Sequence, residues 1–230
     1  KTRNPIIFAF HPAAQKCSVA AAKIVRDAAV AAGAPEHCIQ WIDEPSMDAT
    51  TALMNHPGVA LILATGGNAM VKAAYSCGKP ALGVGAGNVP AYIEKSAKLK
   101  RAINDIVMSK SFDMGMVCAS EQAAILDTEI YDEAMSEFGR LHAYLCTPDE
   151  KAKLERFIFG VEARDANCSG AKLNAAVVGQ SPQWIARNAG FTIPDDATIL
   201  MAEVAEVGPS EPLTREKLAP VLAILRAENT

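Results

Sequence analysis

The chain has 230 residues, of which 50% are hydrophobic and 21% are charged, and its formal net charge at pH 7 is −4. This composition is typical of a globular protein with one large domain or two small ones. No basic block stands out, which argues against a nucleic-acid partner, and no apolar run reaches the ~18 residues of a membrane span. The first residues, KTRNPIIFAF, lack a signal-peptide pattern and lead straight into a strand.

In the first half of the chain, short apolar runs alternate with amphipathic runs, a pattern typical of parallel βαβ units. We predict strands at 5–10, 38–42, 59–65, 80–85 and 90–94, and helices at 18–35, 46–57, 69–78 and 96–112. In the second half we predict strands at 122–127, 175–178, 199–204 and at the end of 210–225, and helices at 129–141, 148–159 and 181–189. The fold class is therefore α/β, a parallel sheet covered by helices, with a domain boundary near residue 113.

Two glycine-rich turns follow predicted strands. Gly66 and Gly67 precede a helix, where the backbone can approach a ligand and the free N–H groups favour a phosphate. A tight turn without a ligand explains them equally well. The run 83–88, GVGAGN, lacks the last glycine and the following helix of a dinucleotide fingerprint. We interpret it as a strand connection against which something can lie flat.

The cysteines show no Cys-x-x-Cys pair and no metal-ligand spacing, so we predict free thiols in a reducing cytoplasm and no metal site. They are Cys17, Cys38, Cys77, Cys118, Cys146 and Cys168. Five are interpreted as inert small hydrophobes. Cys118 differs, because Val117 precedes it and the polar run Ser120-Glu121-Gln122 follows shortly after. A cysteine on such a loop favours chemistry over packing, and a buried packing cysteine is the alternative.

Two stretches, ILATGGNAMVKAAYSCGKPALGVGAGNVPAYI at 62–93 and KSFDMGMVCASEQAAIL at 110–126, resemble the CoA-acylating aldehyde dehydrogenases. The chain is most similar to the aldehyde dehydrogenase domain of bifunctional aldehyde-alcohol dehydrogenases. The resemblance implies an NAD-dependent oxidoreductase that interconverts an aldehyde, with acetaldehyde favoured, and acyl-CoA through a thioester on Cys118. It also implies a Rossmann-like nucleotide-binding domain at 1–112 and a catalytic domain at 113–230, both incomplete.

The resemblance further implies a site for NAD, with coenzyme A as co-substrate. The positions that match the family's cofactor-binding residues are His11, Pro12, Thr65, Gly66, Gly67, Gly85 and Glu203. The residues at 65–67 would lie at the cofactor's phosphates and nicotinamide side, and those at 11–12 near the adenosine ribose. Glu203 resembles the glutamate that binds the nicotinamide ribose. For His11 the alternative is a surface loop histidine, and for Glu203 a solvated strand-end carboxylate or an ion pair.

One position separates acylation from hydrolysis. Hydrolytic relatives carry a glutamate that activates water where this chain has Val84, and valine cannot accept a proton. An acyl-enzyme should therefore persist until the thiol of coenzyme A arrives. The alternatives are a hydrolytic aldehyde dehydrogenase, a semialdehyde or acyl-phosphate reductase, and a truncated nucleotide-binding or assembly module without activity.

The resemblance also places parts of the catalytic machinery outside the chain. The asparagine that helps to hold the oxyanion would precede residue 1, and the rest of the catalytic domain would follow Thr230. The implied parent is a homo-oligomer, able to form filaments, with a fused iron-dependent alcohol dehydrogenase domain. We expect no nucleic-acid or membrane partner.

Overall fold

A computed structural model describes residues 3–161, 171–208 and 210–228. Cys168, predicted as a free thiol, lies outside the described residues. The chain divides into two compact units, residues 1–85 and 86–230. Each is built from parallel strands and helices, as the alternating pattern of the sequence predicts.

The first unit contains two parallel strand pairs. The first joins β1 (Ile6–Phe8) to β2 (Ile39–Trp41), and the second joins β3 (Ile62–Thr65) to β4 (Ala81–Val84). The helices of this unit are α1 (Gln15–Ala31), α2 (Met47–Asn55) and α3 (Asn68–Ser76).

Strand β3 shows why the second pair forms a small core. Its side chains alternate between buried Ile62 and Ala64 and exposed Leu63 and Thr65, as the two-residue period of a strand requires. The buried pair packs with Met54 of α2 and Ala74 of α3, so one face of the strands carries the core.

The second unit is built on a five-stranded, all-parallel sheet in the order β5-β6-β9-β8-β7. The strands are β5 (Val89–Ile93), β6 (Glu121–Asp127), β7 (Ala143–Leu145), β8 (Ile199–Glu203) and β9 (Val221–Ala227). The helices are α4 (Leu99–Ser111), α5 (Tyr131–Arg140), α6 (Pro148–Phe159) and α7 (Pro182–Ala189).

This sheet is covered on both faces. Ile103 of α4 and Phe138 of α5 belong to one buried cluster, and Leu154 of α6 and Ile185 of α7 belong to the other. The central strand β9 contributes buried residues to both clusters, which explains why its sequence is almost continuously apolar.

The structure differs from the sequence-based expectations in two elements. The predicted strand at 175–178 is wrong, because Ala175–Val177 forms a 3₁₀ helix whose first turn is capped by the Asn174 side chain, which accepts from Ala176 N at 3.1 Å. Strand β7 was not predicted, because three residues are too few to show a period.

The two units also divide earlier than the boundary expected near residue 113. The division falls between Gly85 and Ala86. Strand β5 pairs with β6, and α4 packs in the cluster beneath that sheet, so both belong to the second unit. The sequence suggested a later boundary because the alternation of strands and helices continues through 112 without a break.

Candidate active site

Cys118 is an exposed residue in a tight turn that precedes β6. The N–H of Ser120 donates to the carbonyl oxygen of Val117 at 2.9 Å and closes the turn. Just before it, Asp113 and Met114 adopt left-handed backbone conformations, with φ of 50° and 51°. Such conformations are unfavourable for residues other than glycine, and strained backbone of this kind concentrates at functional sites. The loop position predicted for Cys118 is confirmed.

Gly115 fixes this loop against the segment that leads into β9. A Cβ on Gly115 would lie 2.4 Å from the carbonyl oxygen of Ala219 and 2.8 Å from the nitrogen of Pro220, and its φ is +69°. Only glycine permits this combination of close approach and left-handed backbone. The Cys118 loop therefore lies directly on the residues that precede β9.

A third segment, 86–88, contacts both the Cys118 turn and the segment that precedes β9, and we call the meeting point of these three segments the junction. A Cβ on Gly87 would lie 3.1 Å from the carbonyl oxygen of Cys118, and the Gly87 N–H donates to Oε1 of Glu216 at 3.1 Å. The side-chain amide of Asn88 donates to the carbonyl oxygen of Thr214 at 2.9 Å. The thiol-bearing turn and the Glu216 carboxylate thus meet at one backbone position.

Glu216 was missed in the sequence analysis, although a signal was present. It lies in a polar stretch just before the apolar strand β9, as Cys118 lies just before β6. Strands β6 and β9 are parallel neighbours, so residues that precede them lie at the same edge of the sheet. That edge is formed only in the fold, since about a hundred residues separate the two segments in sequence.

Glu203, the glutamate predicted at the cofactor, lies apart from this junction. It is the last residue of β8, whereas Cys118 precedes β6, so in a parallel sheet the two residues belong to opposite strand ends. Its Oε1 accepts a short hydrogen bond from the Tyr131 hydroxyl and lies 3.5 Å from the Arg226 guanidinium. This arrangement matches the ion-pair alternative.

Tyr131 interacts with both Glu203 and Arg226. Burial, followed by the hydrogen bond to Glu203, raises the pKa of Tyr131 to about 12. The guanidinium carbon of Arg226 lies 3.6 Å from the centroid of the Tyr131 ring, in cation–π contact. The Glu203 carboxylate is therefore engaged by two neighbours of its own unit.

In the first unit, Thr65 ends β3, and Gly66 and Gly67 form the turn into α3, with Gly67 as the N-cap residue. A Cβ on Gly67 would meet no atom within 4 Å, and one on Gly66 would meet only the Met70 side chain at 3.8 Å. The protein does not fill this space, so another molecule could approach the backbone and the helix N-terminus here.

In the second glycine-rich run, 83–88, Gly83 and Gly85 lie directly against other protein atoms. A Cβ on Gly83 would lie 2.6 Å from Cγ1 of Val71, and one on Gly85 would lie 2.6 Å from Oδ1 of Asn68. The expectation that something lies flat against this run is met by the protein, since helix α3 takes this space. Steric access for a ligand at Gly85 is therefore limited by the Asn68 side chain.

His11 and Pro12 follow β1, at the strand end where their loop was predicted. Pro12 begins a 3₁₀ helix, and Nδ1 of His11 accepts from the Ala13 N–H at 3.2 Å as its cap. His11 is exposed. Its geometry fits both of the alternatives considered above.

The other described cysteines have separate environments. Cys146 is buried, which raises the pKa of its thiol to about 12, and nearby Glu150 adds to this. Cys38 and Cys77 are half-buried, whereas Cys17 is exposed on α1 and is therefore not a buried packing residue. These four cysteines and Cys118 are free thiols.

Two wider features bear on function. Among the residues that the structure describes, no group of three or more His, Cys, Asp or Glu side chains could hold a metal ion. Within the same residues, the helices are all too short or too polar to span a bilayer.

Comparison with known proteins decides the family. A model of the aldehyde dehydrogenase family matches residues 2–152. The chain belongs to this family. An aldehyde-alcohol dehydrogenase of Streptococcus pneumoniae is 69% identical over 229 residues, which are 100% of this chain and 26% of that protein.

Solved structures of the family agree with the observed fold. An acetylating aldehyde dehydrogenase from Geobacillus thermoglucosidasius has a TM-score of 0.90 and 46% identity, covering 98% of this chain and 48% of that one. A propionaldehyde dehydrogenase of Rhodopseudomonas palustris, solved with bound CoA and an acylated cysteine, has a TM-score of 0.85 and 29% identity, covering 98% and 49%. The α/β fold class and the resemblance are confirmed. This aldehyde dehydrogenase chain spans about a quarter of the aldehyde-alcohol dehydrogenases that it matches and about half of the two solved chains.

Proposed function

We propose that the protein interconverts an aldehyde, with acetaldehyde favoured, and acyl-CoA with NAD, through a thioester on Cys118. The observation that carries this proposal is the exposure of Cys118 on a turn that follows strained backbone at 113–114 and whose carbonyl oxygen lies against Gly87, the residue that donates to Glu216. The family match and the relatives named as acetylating or CoA-binding enzymes support it.

The sulfur of Cys118 can serve both half-reactions. As a thiolate it adds to the aldehyde carbon, and the carbonyl oxygen takes up the electron pair of the π bond. A bound NAD would supply the acceptor for the hydride that leaves this carbon. Cys118 then holds a thioester, and attack by the thiolate of coenzyme A releases acyl-CoA and returns the Cys118 thiolate.

For the cofactor, we propose that Thr65, Gly66 and Gly67 receive the phosphates and the nicotinamide side. The open space at Gly67 and the N-terminus of α3 favour this. We keep His11 and Pro12 at the adenosine ribose, on the loop after β1. We also keep Gly85 as a cofactor-binding position, although the Asn68 side chain of its own unit lies against it.

For the carboxylate near the reacting atoms, we propose Glu216 in place of Glu203. Glu216 shares Gly87 with the Cys118 turn, whereas Glu203 is engaged by Tyr131 and Arg226. Substituting Glu216→Gln should reduce kcat by at least tenfold more than Glu203→Gln, as expected for a group within the site. Equal effects of the two substitutions would contradict this assignment.

The choice between coenzyme A and water depends on Val84, which is 54% exposed on β4 and offers no proton acceptor. General-base assistance to water is typically worth about 10²–10⁴-fold. We therefore expect sustained NADH formation only in the presence of coenzyme A. Rapid release of the free carboxylic acid without it would favour a hydrolytic enzyme, and a dependence on phosphate would favour an acyl-phosphate reductase.

The test of the nucleophile uses the full-length protein. Cys118→Ser should abolish acyl-CoA formation, whereas Cys17→Ser, at the other exposed cysteine, should leave it unchanged. Turnover that survives in Cys118→Ser would refute the proposed function. An inactive parent protein that still binds NAD would favour the alternative of a module without activity.

The remaining proposals concern the parent protein. On the basis of relatives named aldehyde-alcohol dehydrogenase, we propose a fused iron-dependent alcohol dehydrogenase domain, a homo-oligomeric assembly able to form filaments, and a cytoplasmic location. Light scattering and electron microscopy of the full-length protein would test the assembly. Iron-dependent oxidation of an alcohol would test the second activity.

A further inference from the structure

Lys110 is a fully buried lysine at the end of α4, directly behind the turn that carries Cys118. Its Nζ lies 3.3 Å from Oγ of Ser120 and 3.4 Å from Oε1 of Gln122. Ser120 is the residue whose N–H closes the Cys118 turn. The Lys110 ammonium therefore donates to the turn itself and to the first residues of β6.

Lys217 is a second fully buried lysine, next in sequence to Glu216. Its Nζ donates to the carbonyl oxygens of Gln122 and Arg215, both at 3.0 Å, and to that of Leu213. Its backbone N–H donates to Oε1 of Gln122 at 3.1 Å. Lys217 thus ties the segment that carries Glu216 to the start of β6.

Gln122 is the residue on which the two lysines converge. Its Oε1 accepts from Nζ of Lys110 and from the backbone N–H of Lys217, and its carbonyl oxygen accepts from Nζ of Lys217. The amide is fully buried. The turn with Cys118 and the segment with Glu216 are consequently held by one side chain.

The burial of two ammonium groups is unfavourable in itself, because each loses several kcal/mol of hydration. Burial lowers the pKa of Lys110 to about 8, against the opposing attraction of Glu121 and Glu216. Burial also lowers the pKa of Lys217, and the nearby charge of Lys110 adds to this. Apolar residues of similar volume would fill the same space at lower cost, so packing alone does not account for these lysines.

We propose that Lys110 and Gln122 are positioning residues for Cys118: through Ser120 and Lys217 they hold the thiol-bearing turn at a fixed place relative to the Glu216 segment. The proposal rests on the proposed function of Cys118 as the nucleophile. It adds residues that touch neither substrate nor cofactor and that act through the turn.

The experiment uses the full-length protein with four substitutions. Lys110→Met removes the ammonium, and Lys110→Arg restores a charged donor. Ser120→Ala removes the hydroxyl that accepts from Lys110 and donates to the carbonyl oxygen of Gly115. Lys100→Met is the control on the exposed side of α4. We expect kcat to fall about 10–10²-fold in Lys110→Met, as for a small misplacement of a reacting group, with KM for NAD within about twofold. Lys110→Arg should recover part of the loss, Ser120→Ala should lose less than Lys110→Met, and the control should match the parent.

A second readout follows the alkylation of Cys118 by iodoacetamide across pH, with Cys17 replaced by Ser. At pH 7 the protonated Lys110 holds the turn through Ser120, so Lys110→Met should differ from the parent in the alkylation rate of Cys118. As the pH rises through about 8, Lys110 loses its charge and the two rates should approach each other. The groups that face Lys110 (Glu121, Glu216 and Lys217) are the same in both proteins, so the comparison isolates Lys110.

Unchanged kcat and unchanged alkylation in both Lys110→Met and Ser120→Ala, with only a lower melting temperature, would overturn the proposal and leave the lysines a structural role. If Lys110→Met does not fold, Ser120→Ala decides the question, because it removes the hydroxyl through which Lys110 contacts the turn and leaves the lysine in place. If Cys118→Ser is active, the proposed function fails, and the alkylation rates still report whether Lys110 positions the thiol.

Discussion

The segment 83–87 and the segment 66–67 are both rich in glycine, and both lie in or beside connections between strands and helices. At Gly83 and Gly87, an added Cβ would meet the protein itself, with Cγ1 of Val71 at 2.6 Å and the carbonyl oxygen of Cys118 at 3.1 Å. At Gly67, it would meet open space. The fold therefore accounts for glycine in the first segment, whereas no neighbouring protein atom requires it at Gly67.

The largest expected effect on stability is that of Gly83→Ala. The added methyl group would overlap Val71 and the ring of Tyr75 on α3, and overpacking typically costs about 1–3 kcal/mol. Denaturant unfolding of the protein should show this loss. Gly139→Ala, in α5 with no atom within 4 Å of the new Cβ, serves as the control and should not destabilise. An unaffected Gly83→Ala would remove the distinction between the two segments.

Gly87→Ala should act mainly on activity. Its Cβ requires the carbonyl oxygen of Cys118 to move by a few tenths of an ångström, which shifts the thiol-bearing turn. We expect about a tenfold fall in kcat, or about 1.4 kcal/mol, with little change in KM for NAD. Steady-state kinetics of acyl-CoA formation would measure this. A change confined to KM would indicate that Gly87 belongs to cofactor binding instead.

Asn88→Ala tests the same junction without adding bulk. The substitution removes the hydrogen bond to the carbonyl oxygen of Thr214, a buried residue, so a loss of about 1 kcal/mol in the free energy of unfolding is expected. Asn188→Ala, whose side-chain amide donates within exposed turns of α7, provides the comparison and should cost less. Equal losses would show that the 86–88 segment is not specifically held.

The smallest effect on stability is that of Gly67→Val. Because a Cβ at this position would meet no atom within 4 Å, the free energy of unfolding should change by less than about 0.5 kcal/mol. The apparent KM for NAD should nevertheless rise severalfold, with a smaller effect on the aldehyde. Cofactor affinity unchanged in a folded Gly67→Val protein would mean that this turn is structural only.

The sequence was sufficient for features that depend on local pattern. The apolar period predicted most strands and helices, and the polar neighbours of Cys118 predicted its exposed loop. Glu216 and Gln122 were not recognised, because their roles arise from contacts between segments about a hundred residues apart. Burial of Lys110 could not be inferred either, since a lysine at the end of an amphipathic helix normally faces solvent.

The strand wrongly predicted at 175–178 also reflects information that the local apolar pattern does not contain. Residues 175–178 include two valines, which favour a strand, but the Asn174 cap directs the chain into a 3₁₀ turn, and Gly179 follows at φ +74°. Glu203 was predicted from its resemblance to the glutamate that binds the nicotinamide ribose, and it lies at the end of β8, away from the Cys118 turn. A strand-end carboxylate indicates a site only when the neighbouring strand ends are known.

Lys217 gives the site a central nitrogen that belongs to the polypeptide. Three backbone carbonyl oxygens surround its Nζ, much as oxygens surround a bound metal ion, and the contacts gather residues 122, 213 and 215 around one atom. A metal ion in that place could be removed by a chelator or exchanged for another ion. The lysine nitrogen is covalently attached to the chain, so neither treatment would remove it.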